Sequence, residues 1–118
     1  MNRNHRNLVA WQKAMDLVEM VYRLTAGFPR EELFGLVSQM RRAAISVPVN
    51  LAEGAARNST RELLQFLGVA SGSLSELDTH IAIAARVGFL ADPLPLEEKL
   101  EEVFKLLTAL QASVRRKL

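Results

Sequence analysis

At 118 residues, with 49% hydrophobic and 24% charged side chains, the chain has the makeup of one globular domain with a single core, too apolar for a disordered segment. It contains no cysteine, which excludes disulfides, thiolate metal sites and thiol nucleophiles and suits a reducing compartment. Fifteen Lys and Arg against thirteen Asp and Glu leave a net charge of +2, which permits an anionic partner without demanding one.

The small excess is uneven along the chain. Residues 1–58 carry eight Lys and Arg against five Asp and Glu, and residues 59–118 carry seven against eight. Aromatics are only 6%, so Leu, Val, Ala and Met must fill the interior, a palette that favours packed helices. The opening residues MNRNHRNL lack an apolar leader run, and no apolar stretch approaches the roughly 18 residues of a membrane span. The expectation is a cytoplasmic protein with no membrane contact.

Residues 1–7 are polar and expected to be loose. A first helix is expected from about Leu8 to Thr25. Leu8, Trp11, Met15, Val18 and Tyr22 form one apolar stripe, and Ala14, Leu17, Val21 and Leu24 form a second beside it. Together they make a face wider than one packing neighbour needs. Trp11 is therefore either a core plug or the anchor of a subunit contact. Ala26 to Pro29 breaks the chain, and Pro29 with Glu31 and Glu32 suits the first turn of a second helix. That helix is expected to run to about Ala56, about 40 Å at 1.5 Å per residue. Leu36, Met40, Ala44, Val47 and Leu51 supply its core stripe. Pro48 lacks an N–H and crowds the preceding turn, so a kink is expected there.

Ser59 with Glu62 forms a capping box that starts a third helix, whose apolar stripe reaches about Val87. Its middle, GVASGSLS from Gly68 to Ser75, holds two glycines that cost about 1 kcal/mol each relative to alanine. A close backbone approach by the second helix or by a second subunit would account for them. Gly88 caps the third helix. Pro95 opens a fourth, in which Leu96, Leu100, Val103, Leu107, Leu110 and Val114 repeat nearly as a heptad seam. Arg115, Arg116 and Lys117 then complement the helix dipole. The expected fold is all-α: an antiparallel, up-down-up-down four-helix bundle with a long, kinked second helix, spanning residues 1–118 as a single domain. The second and third helices are expected to be the longest.

Catalytic patterns are missing. A dimetal bundle needs Glu-x-x-His on two helices, but Leu77 stands three residues before His80, and Glu76 with His80 gives two ligands at most. There is no phosphate loop, nucleophile elbow or zincin helix. No catalytic, cofactor or metal residue is expected, and the chain is not expected to be an enzyme. What remains is a polar row on the second helix: Gln39, Arg42, Ser46, Asn50, Glu53 and Arg57. Such a row is expected to form a hydrogen-bond network or an interface, because polar groups facing an interior must be paired. Glu53→Ala should then disturb folding or assembly. The alternative, an enzyme built on Asn50, Glu53 and Arg57, requires an open pocket beside them. Arg41, Arg42, Arg57 and Arg61 are the candidate contacts for an anion such as nucleic acid. Arg41 and Arg42 have a second option, pairing with Glu53, Glu76 or Asp78.

The runs Val9-Ala10-Trp11-Gln12-Lys13-Ala14, Phe28-Pro29, QMRRAAISVPVNLAEGAARNS and FLGVASGSLSELDTHIAIA carry a resemblance. The chain resembles the four-helix-bundle family known as the 23S rRNA-intervening-sequence or S23 proteins, over about Leu8 to Leu90. Gln39, Arg41, Arg42, Ser46, Asn50, Glu53 and Gly54 match the family's pattern one by one, while the fourth helix matches only in character. The resemblance implies a small cytosolic bundle that forms a homo-oligomer, with a ring and a pentamer favoured, and no established activity. RNA or DNA is the ligand it leaves open, the alternative being a purely structural subunit that supports another protein.

Overall fold

The computed structural model describes residues 1–118 and contains four α-helices and no strands. These are α1 (Val9–Thr25), α2 (Leu36–Ala55), α3 (Thr60–Arg86) and α4 (Leu94–Arg115), with 3-10 turns at Asn4–Asn7 and Arg30–Glu32. The molecule measures 45 × 26 × 20 Å. One core cluster of 23 buried residues draws on all four helices and on Phe28 and Leu90 in the connections.

The helices bury the sides that their periodicity marks out. In α1 the buried residues are Ala10, Ala14, Leu17, Val21 and Thr25, three or four apart. This is the second of its two apolar stripes except at Leu24, which is exposed, with Ala10 and Thr25 completing the buried side. The first is left half-buried at Trp11 and Val18 and exposed at Met15 and Tyr22, so the face is wider than the bundle covers. In α4 the seam Leu96, Leu100, Val103, Leu107 and Val114 is buried. Pro48 lies inside α2 and is buried with Met40, Ala44, Val47 and Leu51.

α2 begins at Leu36, not at Pro29. Arg30 to Glu32 make a separate 3-10 turn, and Gly35, at φ −111° and ψ −112°, breaks the helical course before Leu36. Continuing the helix through Gly35 would cost about 1 kcal/mol and would bury nothing in return, since Leu33 is 47% and Phe34 92% exposed. The second helix therefore has 20 residues, against 27 for α3 and 22 for α4, and is not among the two longest.

Both ends of α3 follow from local chemistry. Ser59 Oγ accepts the Glu62 N–H at 3.3 Å, as the capping sequence requires. At the other end Gly88 adopts φ +86°, the Gly88 N–H donates to Ala85 O and the Phe89 N–H to Ala84 O. This is a Schellman end, for which glycine is the low-strain residue. Phe89 then meets Phe28 at 5.8 Å between ring centroids, closing the core beside the α1–α2 and α3–α4 connections.

Residues 4–7, expected to be loose, form their 3-10 turn against α1. The His5 ring stands edge-on to Trp11 at 5.3 Å, and the Arg6 guanidinium lies 5.9 Å above the same ring. The close α2–α3 approach also differs from expectation. At Gly54 a β-carbon would lie 2.9 Å from Leu63 Cδ1 and 3.0 Å from Phe66 Cβ, whereas Gly68 and Gly72 have nothing within 4 Å. Gly54 is where the helices need a missing side chain; the two α3 glycines face open space within one chain.

Candidate interaction surfaces on α1 and α2

The polar row of α2 divides into three parts. At its centre Asn50 Nδ2 donates to Ser46 O at 2.8 Å and to Ser46 Oγ at 2.9 Å. Ser73 Oγ of α3 lies 2.7 Å from Ser46 Oγ, so a half-buried chain Asn50–Ser46–Ser73 ties the middle of α2 to the middle of α3. Toward the helix end, Arg57 donates to Glu53 at 3.1 Å, with both side chains 42–50% exposed. Gln39 and Arg42 are exposed and make no hydrogen bond to another side chain. Within one chain the row is thus a surface flank with a hydrogen-bonded centre, and Glu53 has water on one side.

Of the four candidate arginines, Arg41 is already engaged. Its Nε donates to Thr25 Oγ1 at 3.1 Å, Nη2 lies 3.5 Å from Tyr22 O, and the guanidinium stacks 4.4 Å over the Tyr22 ring. It fastens the end of α1 to the start of α2 through a cation–π contact and a hydrogen bond. Neither Arg41 nor Arg42 forms an ion pair with Glu53, Glu76 or Asp78. Arg57 stacks over Phe66 at 4.8 Å while it pairs with Glu53, and Arg61 is exposed in the first turn of α3.

Trp11 borders an apolar groove of about 370 Å³ between α1 and α2. Met15 and Val18 line it from α1; Ile45, Val49 and Ala52 line it from α2. Met15 is 44%, Ile45 37% and Val49 48% exposed. Ile45 and Val49 belong to neither the core stripe nor the polar row of α2, so neither pattern names them. Their spacing of four, beside the surplus stripe of α1, is the signal that would have found them.

Histidine chemistry is sparse. His80 is 9% exposed, with Nε2 3.3 Å from a Glu76 carboxylate oxygen and Nδ1 buried without a partner. No three His, Asp or Glu side chains come together as a metal-holding group. Glu102 of α4 has a lowered carboxyl pKa. A hydrogen bond from Lys99 Nζ at 2.7 Å holds it below the usual carboxylate range, and Lys99 also touches Asp16 of α1 at 4.0 Å. No helix is long and apolar enough to cross a membrane.

A family model described as 23S rRNA-intervening sequence protein matches residues 6–109. The chain belongs to that family. The match takes in all of α1 to α3, the α1 and α2 walls of the groove and the whole polar row, and ends within α4. No curated protein matches the chain significantly. Gln39, Arg41, Arg42, Ser46, Asn50 and Glu53 all lie inside the matched region.

Proposed function

We infer that this family member is a non-enzymatic, cytoplasmic helical-bundle protein that works as a homo-oligomer and takes RNA as its ligand. The four helices are read as alternating in direction, up-down-up-down, with α2 bent at Pro48, where the Ala44 carbonyl lacks an N–H partner. Two contacts support the alternation. Arg41 near the start of α2 reaches Thr25 at the end of α1, and Gly54 near the end of α2 packs on Leu63 and Phe66 near the start of α3.

The observation that carries self-association is the open α1–α2 groove beside Trp11, since exposed apolar surface with an aromatic anchor is what a subunit contact buries. A head-to-tail contact that closes gives a ring, and five copies is the number the family resemblance favours. The RNA half is compatible with the family description and is supported by Arg57 and Arg61 on the exposed surface around the α2–α3 turn.

Light scattering across concentrations tests the first half. The expected mass is a fixed multiple of 13.1 kDa, near five, and the double variant Ile45→Glu with Val49→Glu should run as a helical monomer. A monodisperse monomer of the unmodified protein at high concentration would refute self-association. A gel shift with RNA in low and high salt tests the second half, and no shift in low salt would refute it.

A further inference from the structure

The charge that looks dilute along the sequence is gathered at one end of the bundle. The cleft of about 510 Å³ at that end is lined by Met1, Asn2, Asn4 and His5 on one side and by Ala55 to Asn58 on the other, so the N-terminal turn lies against the α2–α3 connection. The end of α4 reaches the same level. Leu74, Asp78 and Thr79 of α3 share a groove with Leu100, Glu101 and Phe104 of α4. From that groove Arg61 lies about 25 Å back along α3, and Arg115 about 21 Å onward along α4, at 1.5 Å per residue. With the helices alternating in direction, both distances are measured the same way along the bundle.

Segments 1–8, 53–64 and 112–118 thus share one pole and hold seven Lys and Arg against two Glu. The rest of the chain holds eight against eleven Asp and Glu, so outside this pole the molecule is net acidic. All seven cations are exposed. One of the two glutamates, Glu53, is taken up by Arg57. Arg3, Arg61, Arg115, Arg116 and Lys117 have no acidic partner within ion-pair distance.

Like charges held this close repel unless an anion meets them. Six of the seven are arginine, the side chain whose planar fork matches phosphate oxygens, while Lys13, Lys99 and Lys105 all lie elsewhere. Two of the guanidiniums, Arg6 and Arg57, are held in place over Trp11 and Phe66. Asn2, Asn4, Asn7 and Asn58 add neutral donors at the same pole.

We propose that this pole is the surface on which the protein holds the phosphate backbone of RNA, with Arg61 of α3 and Arg115 and Arg116 at the end of α4 acting together although they are more than fifty residues apart. It rests on the RNA-binding half of the proposed function and goes beyond it by fixing where binding occurs and what is recognised. The contacts are to phosphate, so binding is independent of base sequence.

The test is fluorescence anisotropy with labelled 20-nucleotide single-stranded RNAs of two unrelated sequences, titrated across NaCl concentration. The unmodified protein is compared with a pole variant (Arg61→Gln, Arg115→Gln, Arg116→Gln) and a matched variant (Arg23→Gln, Arg30→Gln, Arg86→Gln) that loses the same charge at the other end. Circular dichroism and light scattering on each verify fold and mass. The pole variant should bind at least tenfold more weakly at low salt, and its log Kd against log salt slope should fall by about 2, at roughly 0.7 per lost single-strand phosphate contact. The matched variant should stay within about twofold, because those positions touch no phosphate. Equal losses in both variants, or undiminished binding by a folded pole variant, would overturn the pole while leaving RNA binding intact. Absence of binding by the unmodified protein overturns both. A pole variant that keeps its RNA affinity but loses oligomer mass would make this end a contact between copies, and the proposal would fall.

Discussion

Gly54→Ala separates packing from propensity. Alanine at this position gains at most about 1 kcal/mol of helix propensity, and less so near a helix end. Against that, the new methyl group would lie 2.9 Å from Leu63 Cδ1 and 3.0 Å from Phe66 Cβ. Leu63 Cδ1 is the free end of a side chain and can turn aside. Phe66 Cβ is fixed to the α3 backbone, so the two helices must part at their tightest point, an overpacking cost of about 1–3 kcal/mol. The net expectation is a loss of about 1 kcal/mol, or about 4 °C in Tm for a chain of this length. Gly68→Ala and Gly72→Ala should do the reverse, because a β-carbon at either meets nothing within 4 Å. Each should gain about 0.5–1 kcal/mol, roughly 2–4 °C. Thermal unfolding followed by circular dichroism at two protein concentrations reads all three. A higher Tm for Gly54→Ala would refute the close-approach argument. A lower, concentration-dependent Tm for Gly68→Ala would show that a second subunit covers that face.

Lys99→Met should return the Glu102 carboxyl toward the usual carboxylate range, measured by carbon-detected NMR titration; an unmoved midpoint would show that Lys99 does not hold it down. The sign follows from the depressed folded-state value: the stabilisation is present above the unfolded carboxyl's range and is lost as pH falls through the lower folded one, so the variant should lose less stability on acidification. His80→Leu should leave Tm unchanged or raise it, since the buried Nδ1 has no partner to lose and the Nε2 contact is with the exposed Glu76 carboxylate; a fall beyond about 5 °C would mean the ring makes a bond not seen in one chain. Glu53→Ala, expected from sequence to disturb folding, should instead shift Tm by less than about 2 °C, because an exposed i, i+4 pair contributes about 0.5 kcal/mol or less. A larger loss that grows with oligomer content would place Glu53 at a subunit contact.

What the sequence alone determined was the number of helices and the core stripes of α2, α3 and α4, while in α1 it offered two stripes without saying which is buried. Apolar spacing of three and four is a property of one helix, so Met40, Leu51, Leu74 and Leu107 could be assigned inward without knowing their neighbours. The Ser59 cap and the Gly88 end are equally local, since their hydrogen bonds close within five residues. The start of α2 was not legible, because Pro29, Glu31 and Glu32 look like a good first turn until the exposure of Leu33 and Phe34 removes the gain from continuing. Only the tertiary structure decided which glycine a neighbour needs, that Ser46 meets Ser73, and that the N-terminal turn lies against the α2–α3 connection. These depend on the level at which two helices pass one another. That level is set by the packing of the whole core, and no local pattern encodes it.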